Sequence, residues 1–153
     1  MRSRLAARFP GSEEAEPPPF VADAAARIVR LLSGERVDFA DVPLDLSEAS
    51  ELERKVYAAA LRIPCGEVRT YGEIAREIDA PGAAQAVGVA LGRNPVPILV
   101  PCHRVLASGG KSGGFSAPGG VSTKFRMLEI ERARRSDDGG LFDALPLAVK
   151  PGK

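Results

Sequence analysis

Cys102 and His103 stand side by side in NPVPILVPCHRV, residues 94–105, directly after Pro101 and directly before Arg104. His103 is the only histidine of the chain, and Cys102 is one of two cysteines. A thiol reacts as its thiolate, and a neighbouring base or permanent cation favours that anion. The grouping therefore suits nucleophilic chemistry at sulfur. It equally suits a buried cysteine packed at the end of a strand. On an extended segment adjacent side chains point to opposite faces, so His103 reaches Cys102 only through a water or a local turn. Without a second histidine, a cysteine protease is disfavoured.

Other reactive-looking features carry less. Cys65, in IPCGEV between a helix end and a turn, reads as a small structural hydrophobe. GKS at 110–112 resembles a phosphate loop, but Val105 stands where the upstream glycine belongs and no strand–loop–helix pattern follows. Two cysteines and one histidine are too few soft ligands for a transition-metal site, so no metal is expected. No run approaches eighteen apolar residues, which argues against a membrane span. Without a secretory signal or a disulfide framework, the expected location is the cytoplasm.

The chain of 153 residues is long enough for one domain, or one domain with a small appendage, and its 44% hydrophobic content can build a core. Aromatics are 5% and tryptophan is absent, so packing falls to Ala, Leu, Val and Ile. Net charge is +1, unevenly placed. Residues 1–65 hold nine basic and eleven acidic side chains, and residues 66–135 hold ten basic and six acidic. The second stretch could serve a polyanion, although many soluble domains show as much bias.

Several elements must position these residues. PGSEEAEPPP (10–19) reads as a linker into a helix over about 20–33, with Val21, Ala24, Ala25, Ile28, Leu31 and Leu32 at helical spacing and Gly34 to end it. A second helix is expected over about 48–62, with Ser47 as N-cap and Leu52, Val56, Ala59, Ala60 and Ile63 on one face. Thr70 and Glu73 form a capping box for a short helix from Tyr71. DAPG (79–82) is a turn, and Pro81 opens a further helix that Gly92 closes. Two short helices about a tight turn outline a helix-turn-helix. The second is smooth, with Ala83, Ala84, Ala86, Gly88 and Ala90. That smoothness permits close packing on a neighbouring helix, or close approach of its backbone to a ligand. VPILV (96–100) reads as a buried strand, and the glycine-rich 109–120 as a loop. A final helix over about 123–134 turns Phe125, Leu128 and Ile130 inward and ends in basic RARR.

PCHRV at 101–105, with NPVPILV before it, GAAQAVGVALG further upstream and TKFRMLEIE downstream, resembles the O6-alkylguanine-DNA alkyltransferases, also called methylated-DNA–protein-cysteine methyltransferases. The similarity spans about residues 50–132 and includes IPCGEVRTYGEIA. The resemblance implies a mainly α fold with a small β component: a winged-helix-like helix-turn-helix domain at 47–135, a truncated α/β N-terminal region at 1–46 and a tail at 136–153. It implies direct-reversal DNA repair, in which Cys102 takes an alkyl group from O6-alkylguanine once and irreversibly, without a cofactor. His103 matches the residue that takes the thiol proton through water, and Glu131 the carboxylate that orients it. Tyr71 matches the tyrosine that protonates the departing base, and Asn94 the asparagine bracing the turn before the active-site segment.

The same resemblance implies a monomer that binds double-stranded DNA through the minor groove and flips the damaged base out. Tyr71, Ala83, Ala84, Gln85, Gly88, Arg93 and Arg104 are the expected DNA-binding residues, Arg104 being expected also to serve structure and the positive potential beside the thiol, and Val105, Gly114, Phe115 and Ser116 the expected pocket. Phe115 takes the place of a tyrosine common in the family, and FSAPGGVSTK is about two residues longer than in familiar members. Gln85 stands where the family usually has an arginine that fills the gap left by the flipped base, which implies weaker duplex binding and slower repair. A lesion-binding protein with little transfer is the alternative; a thiol redox sensor using Cys102 and Cys65 is a third.

Overall fold

The structure, a computed structural model, describes residue 7, residues 9–108 and residues 119–133. The expectations for Gly114, Phe115, Ser116 and the tail at 136–153 lie outside these residues. Helix α1 (Pro19–Leu32) starts at a proline, whose missing N–H costs nothing in a first turn. Its apolar stripe is wider than its contact. Ala24 and Leu31 are buried, while Phe20, Val21, Val29 and Leu32 are exposed.

Helix α2 (Glu51–Leu61) is capped by Ser50, not by Ser47. Only Ser50 has an acid three residues on: the Glu53 carboxylate accepts from the Ser50 N–H at 2.9 Å, and the Glu53 N–H donates to the Ser50 hydroxyl at 3.3 Å. Ser47 bonds Asp45 instead. Helix α3 (Tyr71–Glu77) begins at the Thr70–Glu73 capping box, as the spacing predicts. Residues 81–83 form a turn rather than helix, so α4 (Ala84–Gly92) starts later than Pro81 suggested. Helices α2, α3 and α4 pack together around Val56, Tyr57, Ile74, Val87 and Leu91, and Val100, Cys102 and Val105 join that core.

The two strands β1 (Arg69–Thr70) and β2 (Val105–Leu106) run parallel, pairing Arg69 with Val105 and Thr70 with Leu106. They tie the start of the helix-turn-helix to the residues just after Cys102. Among the described residues no strand precedes Arg69. Helix α5 (Gly120–Ile130) begins earlier than expected, after Gly119 in the left-handed region at φ 87°. It buries Lys124, Met127 and Leu128. Arg132 lies past its end at φ 50°, so the helix stops before Arg132 rather than running through it as expected. The fold is mainly helical with a small two-stranded sheet.

VPILV is not a strand. Residues 94–100 fold into a tight turn in which the Val100 N–H reaches the Val96 carbonyl at 3.0 Å and Ile98 has φ 78°. Pro95 and Pro97 have no N–H to give a ladder, so a strand there would be broken twice. Asn94 supplies the missing bonds. Its side chain accepts from the Val96 N–H at 3.0 Å and donates to the Val100 carbonyl at 2.8 Å.

Candidate active site

Cys102, His103 and Arg104 form a single 3-10 turn, and all three are buried. The extended geometry expected for this segment is thus replaced by a local turn, which removes the opposite-face objection. Pro101 helps by fixing φ ahead of the turn. The Cys102 N–H closes on the Val100 carbonyl at 2.8 Å. The thiol therefore sits between the Asn94 turn and β2.

His103 is 1% exposed, and its Nε2 lies 2.9 Å from Glu131 Oε1. Arg104 completes the cluster. Its Nε donates to Glu131 Oε2 at 2.9 Å, its Nη2 to Oε1 at 2.8 Å, and its Nη1 to the Ile63 carbonyl at 2.7 Å. Burial alone would raise the Glu131 pKa, but the bonds from His103 and Arg104 outweigh it and hold the carboxyl at about 2. Glu131 is therefore an ionised acceptor with no proton to give. Burial, resisted by Glu131, pushes the His103 pKa down, so the ring is neutral near pH 7. A neutral ring facing a carboxylate through Nε2 must carry its proton there, which leaves Nδ1 as a bare acceptor. That atom is buried and unpartnered among the described residues. It is placed to receive a proton.

Burial also raises the Cys102 thiol. Opposing it are a hydrogen bond from Asn94, the nearby Lys124 charge and the backbone N–H groups of Cys102 and His103. The resting sulfur is a thiol, with donors arranged for its anion. Tyr71 lies at the start of α3, and burial followed by the Cys102 charge raises its phenol. Next to it is a residue the sequence reading missed. Lys124 is 1% exposed; its Nζ donates to the Val105 carbonyl at 2.6 Å and to the Tyr71 hydroxyl at 3.4 Å, and lies 5.6 Å from the Tyr71 ring centroid. Burial lowers its pKa to about 8. A signal was present: Lys124, Leu128 and Glu131 recur at helical spacing, which puts the lysine on the inward face.

The other expected residues divide in two. Gln85 on α4 and Arg93 just past its end are exposed and line a cleft of about 510 Å³ between α2 and α4, where Arg93 Nη1 lies 3.6 Å from Glu53. Ala83, Ala84 and Gly88 are half-buried along the same helix. A Cβ added at Gly88 would meet only the Tyr71 ring, at 3.8 and 3.9 Å. These are ordinary contacts, so packing inside the protein does not demand glycine there. Val105 is buried in β2, beside the thiol turn. Arg104 is corrected: its guanidinium is spent on Glu131 and Ile63 and turns inward, away from any DNA-facing surface. Among the described residues no group of three or more His, Cys, Asp and Glu could hold a metal, and no helix is long and apolar enough to cross a membrane.

A helix-turn-helix is joined by a short parallel sheet to a buried turn in which Cys102 precedes a His103–Glu131 pair. Residues 51–133 match the family described as 6-O-methylguanine DNA methyltransferase, DNA binding domain, and the chain belongs to that family. A curated relative, the methylated-DNA–protein-cysteine methyltransferase of Mycobacterium tuberculosis, is 50% identical over 111 residues. That match covers 72% of this chain and 65% of the relative. The inducible methylated-DNA–protein-cysteine methyltransferase of Bacillus subtilis is 37% identical over 130 residues, covering 85% of this chain and 70% of the relative. Among solved structures, Mycobacterium tuberculosis OGT in complex with DNA matches with TM-score 0.68 at 43% identity, over 80% of this chain and 76% of that one.

Proposed function

We propose that this protein repairs double-stranded DNA by moving the alkyl group of O6-alkylguanine onto Cys102, once per molecule and without a cofactor. One observation carries the reading: in the turn that holds the thiol, His103 turns Nε2 to an ionised Glu131 and keeps a bare, buried Nδ1. In the proposed step Nδ1 takes the thiol proton through a bridging water. Sγ attacks the alkyl carbon in line, the carbon–oxygen bond breaks, and its electron pair leaves with guanine. Tyr71 protonates the departing base, and Lys124 stabilises the phenolate. Glu131 stabilises the imidazolium. A thioether on Cys102 remains.

Reaching O6 requires the base outside the stack. In this reading α4 enters the minor groove with Ala83, Ala84, Gln85 and Gly88, Arg93 meets phosphate, and Tyr71 presses on the rotated nucleotide. Val105, with Gly114, Phe115 and Ser116, would wall the base pocket. Residues 47–135 form the working unit, and a monomer in the cytoplasm suffices. A second reading, lesion binding with little transfer, is favoured by the uncharged Gln85 on α4. Weighing the intact protein after incubation with an O6-methylguanine duplex separates them. A gain of one methyl mass on Cys102 is expected; tight binding with no mass gain would sink the transfer reading.

A further inference from the structure

We infer that Tyr57 is a positioning residue for the reaction at Cys102, acting through the C-terminal end of α4 and the Asn94 turn. The inference rests on the alkyl-transfer reading above. Tyr57 lies on α2, is 1% exposed, and donates its hydroxyl proton to the Ala90 carbonyl at 3.0 Å. A phenol is costly to bury unless paired, and phenylalanine would fill the same core space without that demand. Volume alone therefore does not account for the hydroxyl.

Its acceptor is well placed. Ala90 sits in the last turn of α4, where carbonyls run out of partners within the helix. The Arg93 N–H reaches the Ala90 carbonyl at 3.1 Å, and Tyr57 takes the other lone pair. The last turn of α4 carries no basic residue to help. One residue beyond Arg93, Asn94 begins its bracing of Val96 and Val100, and the Val100 carbonyl that its amide holds also accepts the Cys102 N–H at 2.8 Å. Tyr57, Ala90, Val100 and Cys102 share one apolar core cluster. A hydroxyl on α2 thereby fixes where the DNA-facing helix ends, and that end positions the Asn94 turn whose Val100 carbonyl holds the Cys102 backbone.

The test is Tyr57→Phe in the full chain, beside Asn94→Ala and the double variant. Two rates are read on each: methyl transfer from an O6-methylguanine duplex, and iodoacetamide alkylation of Cys102 against pH, scored by peptide mass so that Cys65 does not interfere. We expect Tyr57→Phe to keep its circular dichroism, to slow transfer about tenfold, and to move the Cys102 alkylation midpoint upward, as befits a lost hydrogen bond. The double variant should be no slower than Asn94→Ala alone, because both changes break one path. An unchanged pH midpoint overturns the inference, as do slowdowns that multiply in the double variant. If the parent protein accepts no methyl group, the transfer reading fails, while the iodoacetamide profiles still decide the link from Tyr57 to the thiol.

Discussion

Lys124 holds its ammonium 2.6 Å from the Val105 carbonyl and 3.4 Å from the Tyr71 hydroxyl, inside the protein rather than on its surface. A buried ammonium is costly, and its pKa has fallen to about 8 accordingly. Lys124→Met keeps much of the volume and removes that cost, so the fold should hold or gain stability. Transfer to Cys102 should slow by about 10-fold, less than the roughly 100-fold or more of a direct proton donor, because Lys124 acts through Tyr71. Melting curves and single-turnover rates check both; equal rates would remove Lys124 from the chemistry.

Glu131 makes stability depend on acid. Its carboxyl titrates at about 2 in the folded chain against an ordinary 4.5. Between those values the unfolded chain binds more protons, so stability falls as pH drops through the window. The loss over the whole window is roughly 3 kcal/mol by the size of the shift. Urea unfolding at pH 5, 4 and 3 reads this slope. Glu131→Gln should be less stable at pH 7 and show a flatter slope; an unchanged slope would refute the assignment.

Gly88→Ala tests what the smooth face of α4 is for. The added methyl meets only the Tyr71 ring at ordinary distance, and alanine in a helix interior stabilises by about 0.5–1 kcal/mol. If the face serves DNA, the variant should melt no lower than the parent yet bind duplex DNA more weakly. Fluorescence anisotropy with a labelled duplex decides. Undiminished binding would return the helix to simple packing.

Gln85→Arg adds one exposed cation to α4. It should speed reaction with a duplex lesion and leave reaction with free O6-benzylguanine unchanged. The salt slope of duplex binding should steepen by about 0.9, one phosphate contact's worth. A variant no faster on the duplex argues against Gln85 as the weak point of DNA handling.

Arg104→Met should act on stability rather than on DNA affinity. Removing one partner of a buried ion pair costs about 3–5 kcal/mol, and Glu131 would be left with His103 alone. Chemical denaturation measures the loss, and the salt slope of duplex binding should not move. A changed salt slope with intact stability would restore Arg104 to the DNA surface.

The sequence made much of this plain, and what it hid has physical causes. The Thr70–Glu73 cap and the α3–α4 pair were legible because capping chemistry and helical spacing act within a few residues. The Ser50 cap was misplaced by three residues, although the same serine-to-acid spacing marks it. VPILV looked like a strand because hydrophobicity outweighed Pro97 within it and Pro95 just before it, whose missing N–H groups Asn94 makes good. Lys124 and the partners of Arg104 were hidden for a different reason: lysine and arginine default to solvent, and only distant partners hold them inside. Those partners, Val105 and Tyr71 for the one, Ile63 and Glu131 for the other, are supplied by the fold.

Arg104 grips the Ile63 carbonyl just past α2 and the Glu131 carboxylate at the end of α5 in a single hand. Gly66, at φ 90°, lets the chain pass so close to Glu131 that a Cβ there would stand 3.2 Å from its carbonyl oxygen. The carboxylate that pairs with His103 is therefore also the clasp between two distant parts of the chain. Parting the end of α2 from the end of α5 would break it, and in the proposed reaction His103 would then lose the carboxylate that holds its ring.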